Sequence, residues 1–547
     1  MTVEPEQDPW WRRAVIYQIY PRSFQDSNGD GIGDLAGIVG RLDHLVWLGV
    51  DALWLTPFFA SPMEDGGYDI SGYTDVAPVF GTVDDARALI TAAHERGLRV
   101  IFDLVPNHTS HRHPWFVAAR SGRDDPHRDW YLWRDPAPDG GPPNNWRSVT
   151  DNDRPGSAWI LDEASGQYYL ATFSSVQPDL NWANPEVREA LRDVMRFWLD
   201  RGVDGFRVDM VGFLGKDPEF RDEPDPADPA AHNYLVDSRR HLNRPETLEY
   251  LRELRKVVDA YPDRVLIGEM LYHAPVDLLA SYVAEAGIDL PTNFSLITLP
   301  LEPERIAEHV DAYDAALRAV DGWPNYCLGN HDMPRVSAHG PERARLALTL
   351  LLTLRGTPFL YYGDEIGMAN VEVPPGRRDD RWTTPQRGLS RDAVRTPMQW
   401  DDGHNAGFCP PDVEPWLPIP DDHALVNVAS QSADERSPLH LVRRLLTLRR
   451  EEPALAVGGY RRLPDTPAGC LAYDREHAGR TMTVVLNFAD EAVAVDVGAA
   501  AGGARPGRAG SAPVPPHVVL ETLDGAARVA GGTLHLAPRA GAVLAHE

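Results

Sequence analysis

An α/β fold, a (β/α)8 TIM barrel with an inserted subdomain after strand 3 and a C-terminal antiparallel β domain, is what the sequence predicts, on three observations. Eight β-prone apolar runs recur along the first 362 residues, helical patterns lie between most of them, and the texture changes after residue 456. The 547 residues exceed one ordinary core, and 43% hydrophobic content with 15 Trp is ample for a large buried interior.

The runs at 14–20, 52–56, 99–105, 205–210, 265–269, 293–296, 326–329 and 359–362 are apolar on both faces, as buried parallel strands are. Helical periodicity at 83–96, 185–201, 247–261, 303–319 and 342–354 supplies the crossovers, with Asn184 and Asp84 as N-cap signals. Alternation of the two gives right-handed βαβ units, and eight strands suffice to close a barrel. An open doubly wound sheet is the competing fold, but no glycine-rich phosphate turn follows the first strand.

Residues 1–107 and 182–455 are read as the barrel, 108–181 as the inserted subdomain and 456–547 as a C-terminal β-sandwich domain. The insertion is too long to be a structureless loop. Its Trp115, Trp130, Tyr131, Trp133, Trp146, Trp159, Tyr168 and Tyr169 read chiefly as subdomain core, with sugar stacking the lesser alternative. The Pro-rich stretch 365–420 covers the barrel mouth, and a helix at 439–450 closes the barrel. Within 365–420, Arg377, Arg378 and Arg381 alternate with acids and read as a loop salt-bridge patch or as aglycone contacts. Short strands follow at 470–473, 482–488, 492–497, 518–520 and 533–536, whereas 498–515 is rich in small residues and predicts no element.

With 81 Asp plus Glu against 53 Lys plus Arg, the net charge is −28, which repels phosphate backbones and anionic lipid. Nucleic acid and membrane surface are therefore disfavoured as partners. Cys327, Cys409 and Cys470 have neither metal nor redox spacing, and their odd number argues against a disulfide framework, so a reducing cytoplasm is expected. The acidic start (Glu4, Glu6, Asp8) is unlike a signal peptide, and no apolar stretch is long enough to span a bilayer.

Four polar segments end four of the apolar runs: Asp103-Leu-Val-Pro-Asn-His108, Gly205-Phe-Arg-Val-Asp209, Gly268-Glu-Met270 and Gly329-Asn-His-Asp332. In a barrel of this kind the carboxyl ends of the strands carry the chemistry. Strand alternation puts Gly205, Arg207 and Asp209 on one face. A guanidinium beside Asp209 favours the carboxylate that a nucleophile needs, and Asp209 is predicted to attack an anomeric carbon. Glu269, flanked by Ile267 and Met270, is the candidate general acid, and Asp332 orients hydroxyls and stabilises developing positive charge. Two carboxylates flanking an acetal are the apparatus of glycoside hydrolysis. Any one of these acids alone is as readily a helix cap or an arginine partner. Asn107-His108 and Asn330-His331 add donor and acceptor sets suited to sugar hydroxyls.

In this order the four segments resemble the signature regions of the α-amylase superfamily of retaining glycoside hydrolases, from Ile16-Tyr-Gln-Ile-Tyr-Pro-Arg-Ser-Phe24 onward. Gln177-Pro-Asp-Leu-Asn181 and Arg395-Thr-Pro-Met-Gln-Trp400 resemble its oligo-1,6-glucosidase and α-glucosidase branch. The resemblance implies Asp209 as nucleophile, Glu269 as acid/base and Asp332 as transition-state stabiliser, with Tyr68, Asp69, His108, Arg207, His331 and Arg395 holding the non-reducing glucose. Asp69 and Arg395 would wall off a further sugar, which makes the enzyme exo-acting; for Asp69 a loop-turn role is the alternative. Met210 departs from the branch, where Val accompanies α-1,6 preference and Ala or Thr α-1,4 preference, so it assigns neither linkage.

Asp26-Ser-Asn-Gly-Asp-Gly-Ile-Gly-Asp34 alternates oxygen ligands with turn glycines like half a calcium loop, but position twelve is Gly37 and lacks the bidentate Glu. The resemblance implies a structural Ca2+ or Mg2+ on Asp26, Asn28, Asp30, the Ile32 carbonyl and Asp34; a metal-free Asx-turn loop is the alternative. No organic cofactor is expected. The resulting expectation is a retaining exo-α-glucosidase acting on a small carbohydrate, as monomer or homodimer. A transglucosylase or a sucrose or maltose isomerase is the runner-up, and a non-catalytic transporter-associated ectodomain is disfavoured by the intact acidic triad.

Overall fold

The computed structural model describes residues 8–149, 156–224, 238–380, 390–498 and 516–546. Eight parallel strands form one sheet: β1 Ile16–Ile19, β2 Ala52–Leu55, β3 Arg99–Leu104, β4 Gly205–Val208, β5 Val265–Glu269, β6 Leu290–Thr292, β7 Asn325–Cys327 and β8 Thr357–Tyr361. Their order is β6-β5-β4-β3-β2-β1-β8-β7. At the seam the Asn293 N–H donates to Asn325 Oδ1 at 3.1 Å, so the sheet curls into a nearly closed barrel.

Alternation sorts the side chains. Ile16, Ala52, Trp54, Ile101, Val265, Ile267, Leu290, Cys327 and Phe359 fill the interior, while Tyr17, Leu53, Val100, Phe102, Phe206, Leu266 and Leu360 face the surrounding helices. Each such aliphatic or aromatic burial is worth about 1.5–3 kcal/mol. At Gly205 a Cβ would lie 2.2 Å from the Val265 carbonyl oxygen, so β4 and β5 approach as closely as they do only because this residue is glycine.

The floor of the barrel carries a repeat that the apolar runs do not reveal. Asp51, Asp204 and Asp289 stand immediately before β2, β4 and β6. Their carboxylates accept the N–H groups of Val15 at 2.8 Å, Val100 at 2.9 Å and Leu266 at 2.8 Å, each at the start of the preceding strand. Strand starts that would otherwise leave donors unpaired are thus tied in pairs.

The outer layer comprises α1 Leu35–Leu48, α2 Val83–Glu95, α3 Pro185–Leu199, α4 Pro245–Asp259, α5 Val276–Ala286, α6 Pro303–Arg318, α7 Pro341–Thr353 and α8 Pro438–Glu451. Asn184 caps α3 as expected. The cap of α2 is Thr82 rather than Asp84, because Thr82 and Asp85 form a reciprocal capping box. The sixth strand also differs: it lies at Leu290–Thr292, and Ser295–Thr298 is a helical turn. Pro291 conceals it. The Pro291 carbonyl accepts from Tyr313 Oη at 3.0 Å, so its backbone faces the seam, where no ladder N–H is needed.

Between β3 and β4 the insertion folds as helix Pro114–Ser121 and a three-stranded antiparallel sheet of Trp133–Arg134, Gln167–Leu170 and Trp159–Asp162. Trp146, Trp159, Tyr168, Leu132 and Leu170 form its core, so most of its aromatic residues are structural. After β8, short 3-10 turns including Asp364–Ile366, Pro375–Arg377 and Arg391–Val394 run across the barrel mouth. Arg377 pairs with Glu414 at 2.6 Å and Arg378 Nε donates to the Val373 carbonyl, the local patch expected, while Arg381 lies outside the described residues.

The C-terminal module stacks a five-stranded antiparallel sheet on a three-stranded one, with Val485, Leu534, Leu536, Ala542 and Leu544 between them. The opposite face, Leu471, Tyr473, Met482, Val484 and Val543, joins the main core. Strands Gly459–Arg462, Ala527–Ala530 and Gly541–His546 were not predicted. Gly541–His546 is rich in small residues and owes its conformation to pairing on both edges. Most of 498–515 lies outside the described residues.

Candidate active site

The carboxyl ends of β3, β4 and β5 deliver three acidic groups to one arginine. Arg207 Nη1 is 2.8 Å from both Asp103 Oδ1 and Asp209 Oδ1, and Nη2 is 2.5 Å from Glu269 Oε1. All four side chains are buried. Asp103 also accepts from Trp54 Nε1 and Tyr68 Oη, each at 3.1 Å. Burial pushes the Asp103 carboxyl up to about 6, against the pull of Arg207.

Burial and the neighbouring Glu269 carboxylate hold Asp209 well above the ordinary carboxylate range, again with Arg207 opposing. Arg207 stands beside Asp209 as strand alternation implies, and its guanidinium is also shared with Glu269 and Asp103. Glu269 Oε2 further accepts the Met210 N–H at 3.1 Å. Met210 takes a left-handed backbone (φ 39°, ψ 52°), which turns that N–H back across β5, and its side chain packs on Phe173, Phe213 and Leu242.

Opposite this group, the end of β7 supplies Asn330, His331 and Asp332. Asp332 Oδ1 is 2.8 Å from Arg395 Nη2 and 3.3 Å from Arg391 Nη1, and its own N–H donates to Asn330 Oδ1 at 2.9 Å. Arg395 Nε donates to the His331 carbonyl at 2.7 Å. The His331 ring stacks on Tyr68 with centroids 5.3 Å apart, and its Nδ1 meets Gln18 Nε2 at 2.8 Å. Burial, reinforced by nearby arginines, lowers the His331 imidazole to about 3, so it is neutral and its Nε2 faces Asp332 at 3.6 Å.

His108 is buried beside Gln177, whose Nε2 lies 3.2 Å from His108 Nε2 and donates to Asp65 Oδ2 at 2.8 Å. Burial brings its imidazole down to about 4. Arg391, Asp65 and Asp380 are functional candidates that the sequence did not disclose: Arg391 Nη2 is 2.7 Å from both Asp65 Oδ1 and Asp380 Oδ1. Four residues before the Arg-Thr-Pro-Met-Gln-Trp segment, Arg391 carried no pattern of its own. Lys216 and Asn107 lie behind His108.

Asp69 and the 26–34 loop each make local loop contacts. Asp69 is fully buried, and its carboxylate accepts from Ser61 Oγ at 2.9 Å and from the Glu64 and Asp65 N–H groups at 3.0 Å each. It closes the 61–69 loop, and Arg395 is engaged by Asp332 instead. The Asp69 carboxyl is raised to about 6 by burial. In the 26–34 loop, Asp26 accepts the N–H groups of Asn28, Gly29 and Gly31, Asn28 that of Asp30, and Asp30 that of Ile32. Asp34 caps α1 through the Gly37 N–H and also takes Ser27. Among the described residues, no three acidic, His or Cys side chains converge as metal ligands. The oxygens of Asp26, Asn28, Asp30, Asp34 and the Ile32 carbonyl are of the chemical kind a hard cation needs.

A family model for the alpha amylase catalytic domain matches residues 18–458. The chain is 43% identical over 519 residues to a probable alpha-glucosidase of Rhizobium meliloti (strain 1021), covering 90% of this chain and 91% of that protein. It is 38% identical over 520 residues to an oligo-1,6-glucosidase of Parageobacillus thermoglucosidasius, covering 88% and 91%. Among solved structures, the trehalulose synthase MutB from Pseudomonas mesoacidophila MX-45 superposes with a TM-score of 0.88 at 36% identity, covering 99% of this chain and all of that one. Among the described residues, no helix is long and apolar enough to cross a membrane.

Proposed function

The chain belongs to the alpha-amylase catalytic-domain family of glycoside hydrolases, and from that premise we propose that it is a retaining exo-α-glucosidase releasing terminal α-linked glucose from short oligosaccharides or α-glucosides. The observation that carries this reading is the Asp209 and Glu269 pair, sharing Arg207, with Asp332 across the pocket. With a sugar between the pair, Glu269 as the acid gives a proton to the leaving oxygen, and Asp209, anionic on Arg207, attacks the anomeric carbon. The C–O bond to the aglycone breaks as the Asp209 ester forms; in the second step Glu269, now a carboxylate, takes a proton from the incoming water as the water oxygen bonds to the anomeric carbon and the ester bond to Asp209 breaks. Asp332, held by two arginines, sits where it can bind sugar hydroxyls, and neutral His331 donates from Nε2 without adding charge.

Exo action is supported by the ion-pair cluster of Arg391, Arg395, Asp65 and Asp380 beside Asp332, which would wall off a further sugar beyond the terminal glucose. The glucosyl acceptor is the open choice within this reading. The likeness to a trehalulose synthase supports transfer or isomerisation as the alternative, in which a sugar takes the place of water. A panel of maltose, isomaltose, sucrose and trehalose with product identification tests both: free glucose from maltose or isomaltose supports hydrolysis, glucosylated acceptors or isomers support transfer, and no turnover of any of them rejects the reading.

The rest of the reading needs no organic cofactor, since acid and nucleophile suffice for an acetal. A reducing cytoplasm fits the three free, buried cysteines. A structural Ca2+ or Mg2+ in the 26–34 loop is supported by donor chemistry alone, and it takes no part in the steps above.

A further inference from the structure

We propose that Lys216, a residue outside the four strand-end segments, is the positioning residue for His108, and through it for the glucose in the site proposed above, on which this inference rests. Lys216 follows the Val211–Phe213 turn after β4, and its side chain is 6% exposed. An ammonium has three donors, and each of these goes to a different part of the fold. One is on the Phe213 carbonyl of its own turn, one on Asn107 Oδ1 at 3.0 Å at the end of β3, and one on Asp179 Oδ2 at 2.9 Å in the inserted segment.

Both of the latter partners hold His108. Asn107 is its chain neighbour, with Nδ2 3.3 Å from His108 Nδ1. Asp179 is its antiparallel bridge partner, and is itself fixed by the Thr172 N–H at 2.7 Å and Thr172 Oγ1 at 2.6 Å. From His108 the polar contacts continue through Gln177, Asp65 and Arg391 to Asp332. A single buried cation therefore sets where β3, the insertion and the β4 loop meet, and the imidazole at that junction faces the sugar. Burial of a lysine is costly, and its retention here is explained by placement rather than by packing.

Kinetics on an aryl α-glucoside test this with Lys216→Met, His108→Ala and their combination. If Lys216 acts through His108, Lys216→Met lowers kcat/KM by about 100-fold in the parent but by less than about 3-fold when His108 is already alanine, because residues acting as one unit are not additive. Losses that multiply, or a Lys216→Met enzyme with parental kcat/KM, overturn it. Asp179→Asn combined with Lys216→Met leaves no unpaired charge; it is expected to keep the parental melting temperature and the kinetic loss, whereas recovered activity would reduce Lys216 to charge balance and overturn its positioning role. Should the parent prove inactive on α-glucosides, the functional reading fails first. The inference is then read from the His108 ring resonances, identified by their loss in His108→Ala: they move in Lys216→Met if the lysine places the ring, and unmoved resonances overturn it.

Discussion

Arg207 Nη2 lies 2.5 Å from Glu269 Oε1, so the guanidinium on β4 grips the acid on β5 at least as closely as it grips Asp209 on its own strand. After burial, repulsion from the Glu269 carboxylate is what raises the Asp209 carboxyl, with the arginine opposing it. Replacing Glu269 by Gln removes the like charge that helps raise Asp209. A raised acid ionises only at higher pH, so relief of the repulsion moves its ionisation down. The acid limb of kcat/KM for an aryl glucoside with a good leaving group is expected to shift to lower pH in Glu269→Gln. A limb that stays in place or moves upward contradicts the coupling.

Arg391 holds Asp65, Asp380 and Asp332 together from a turn beyond β8. Arg391→Ala leaves these carboxylates facing one another without the cation, and breaking such buried pairs costs about 3–5 kcal/mol. Because Asp332 and the Gln177 contact to Asp65 both shift, kcat/KM is expected to fall by about 100-fold or more. Arg391→Lys keeps the charge but not the fork, and is expected to recover only part of the loss. Steady-state kinetics of the two variants check this, and full recovery with lysine contradicts the fork.

Glu365 is buried beneath the mouth, accepting from Tyr17 Oη at 2.7 Å, while its Oε2 has no hydrogen-bond partner among the described residues. Burial raises it to about 7, and Asp364 beside it to about 6. Since the folded state holds these protons above the unfolded carboxylate range, the folded chain binds more protons between about pH 4.5 and 7. Stability contributed by the neutral Glu365 is present at the low end and lost as pH rises, by roughly 3 kcal/mol across the window. Glu365→Gln keeps an acceptor for Tyr17 without ionising. The fall in melting temperature from pH 5 to 8 is expected to be shallower in this variant, and an unchanged slope assigns it to other groups.

For the 26–34 loop, a bound cation would stabilise the folded state by about 2.7 kcal/mol at a free concentration 100 times its Kd. Dialysis against EDTA and return of Ca2+ is expected to lower and restore the melting temperature, and Asp30→Ala to abolish the Ca2+ response. Equal melting temperatures with and without Ca2+ reject a structural ion.

The barrel, its insertion and the strand-end acids were legible because each leaves a local trace: two-faced apolar runs, helical periodicity, and a polar cluster where an apolar run stops. Pro291 hid the sixth strand because proline reads against a ladder unless the seam is known. Gly541–His546 has only Val543 as a strong strand former and is made a strand by its neighbours. Asp69, Arg391 and Lys216 show the other limit. Whether an acid closes its own loop or reaches a pocket, and whether a basic residue far along the chain meets a particular carboxylate, depends on tertiary approach across 100 residues or more, as for Lys216 and Asn107.

The junction between barrel and C-terminal module rests on two cations with no acid beside them among the described residues. Arg475 donates to the carbonyls of Thr353 and Gly458, and Arg449 to those of Leu352, Leu354, Gly356 and Leu455. Both are fully buried, and burial lowers Arg475 well below its ordinary range and Arg449 to about 10. Thr353 ends α7, so the carbonyls of a helix C-terminus, with their partial negative charge, stand where a carboxylate would otherwise be needed. Arg475→Met removes the cation and strands those carbonyls, each at about 1–3 kcal/mol. The variant is expected to melt several degrees lower while kcat/KM of the folded enzyme stays at the parental value, since Arg475 touches nothing at the mouth. Thermal melts with kinetics measured well below the transition separate the two effects. An unchanged melting temperature shows the carbonyls satisfied without Arg475, and a loss of kcat/KM at parental stability ties the module to catalysis.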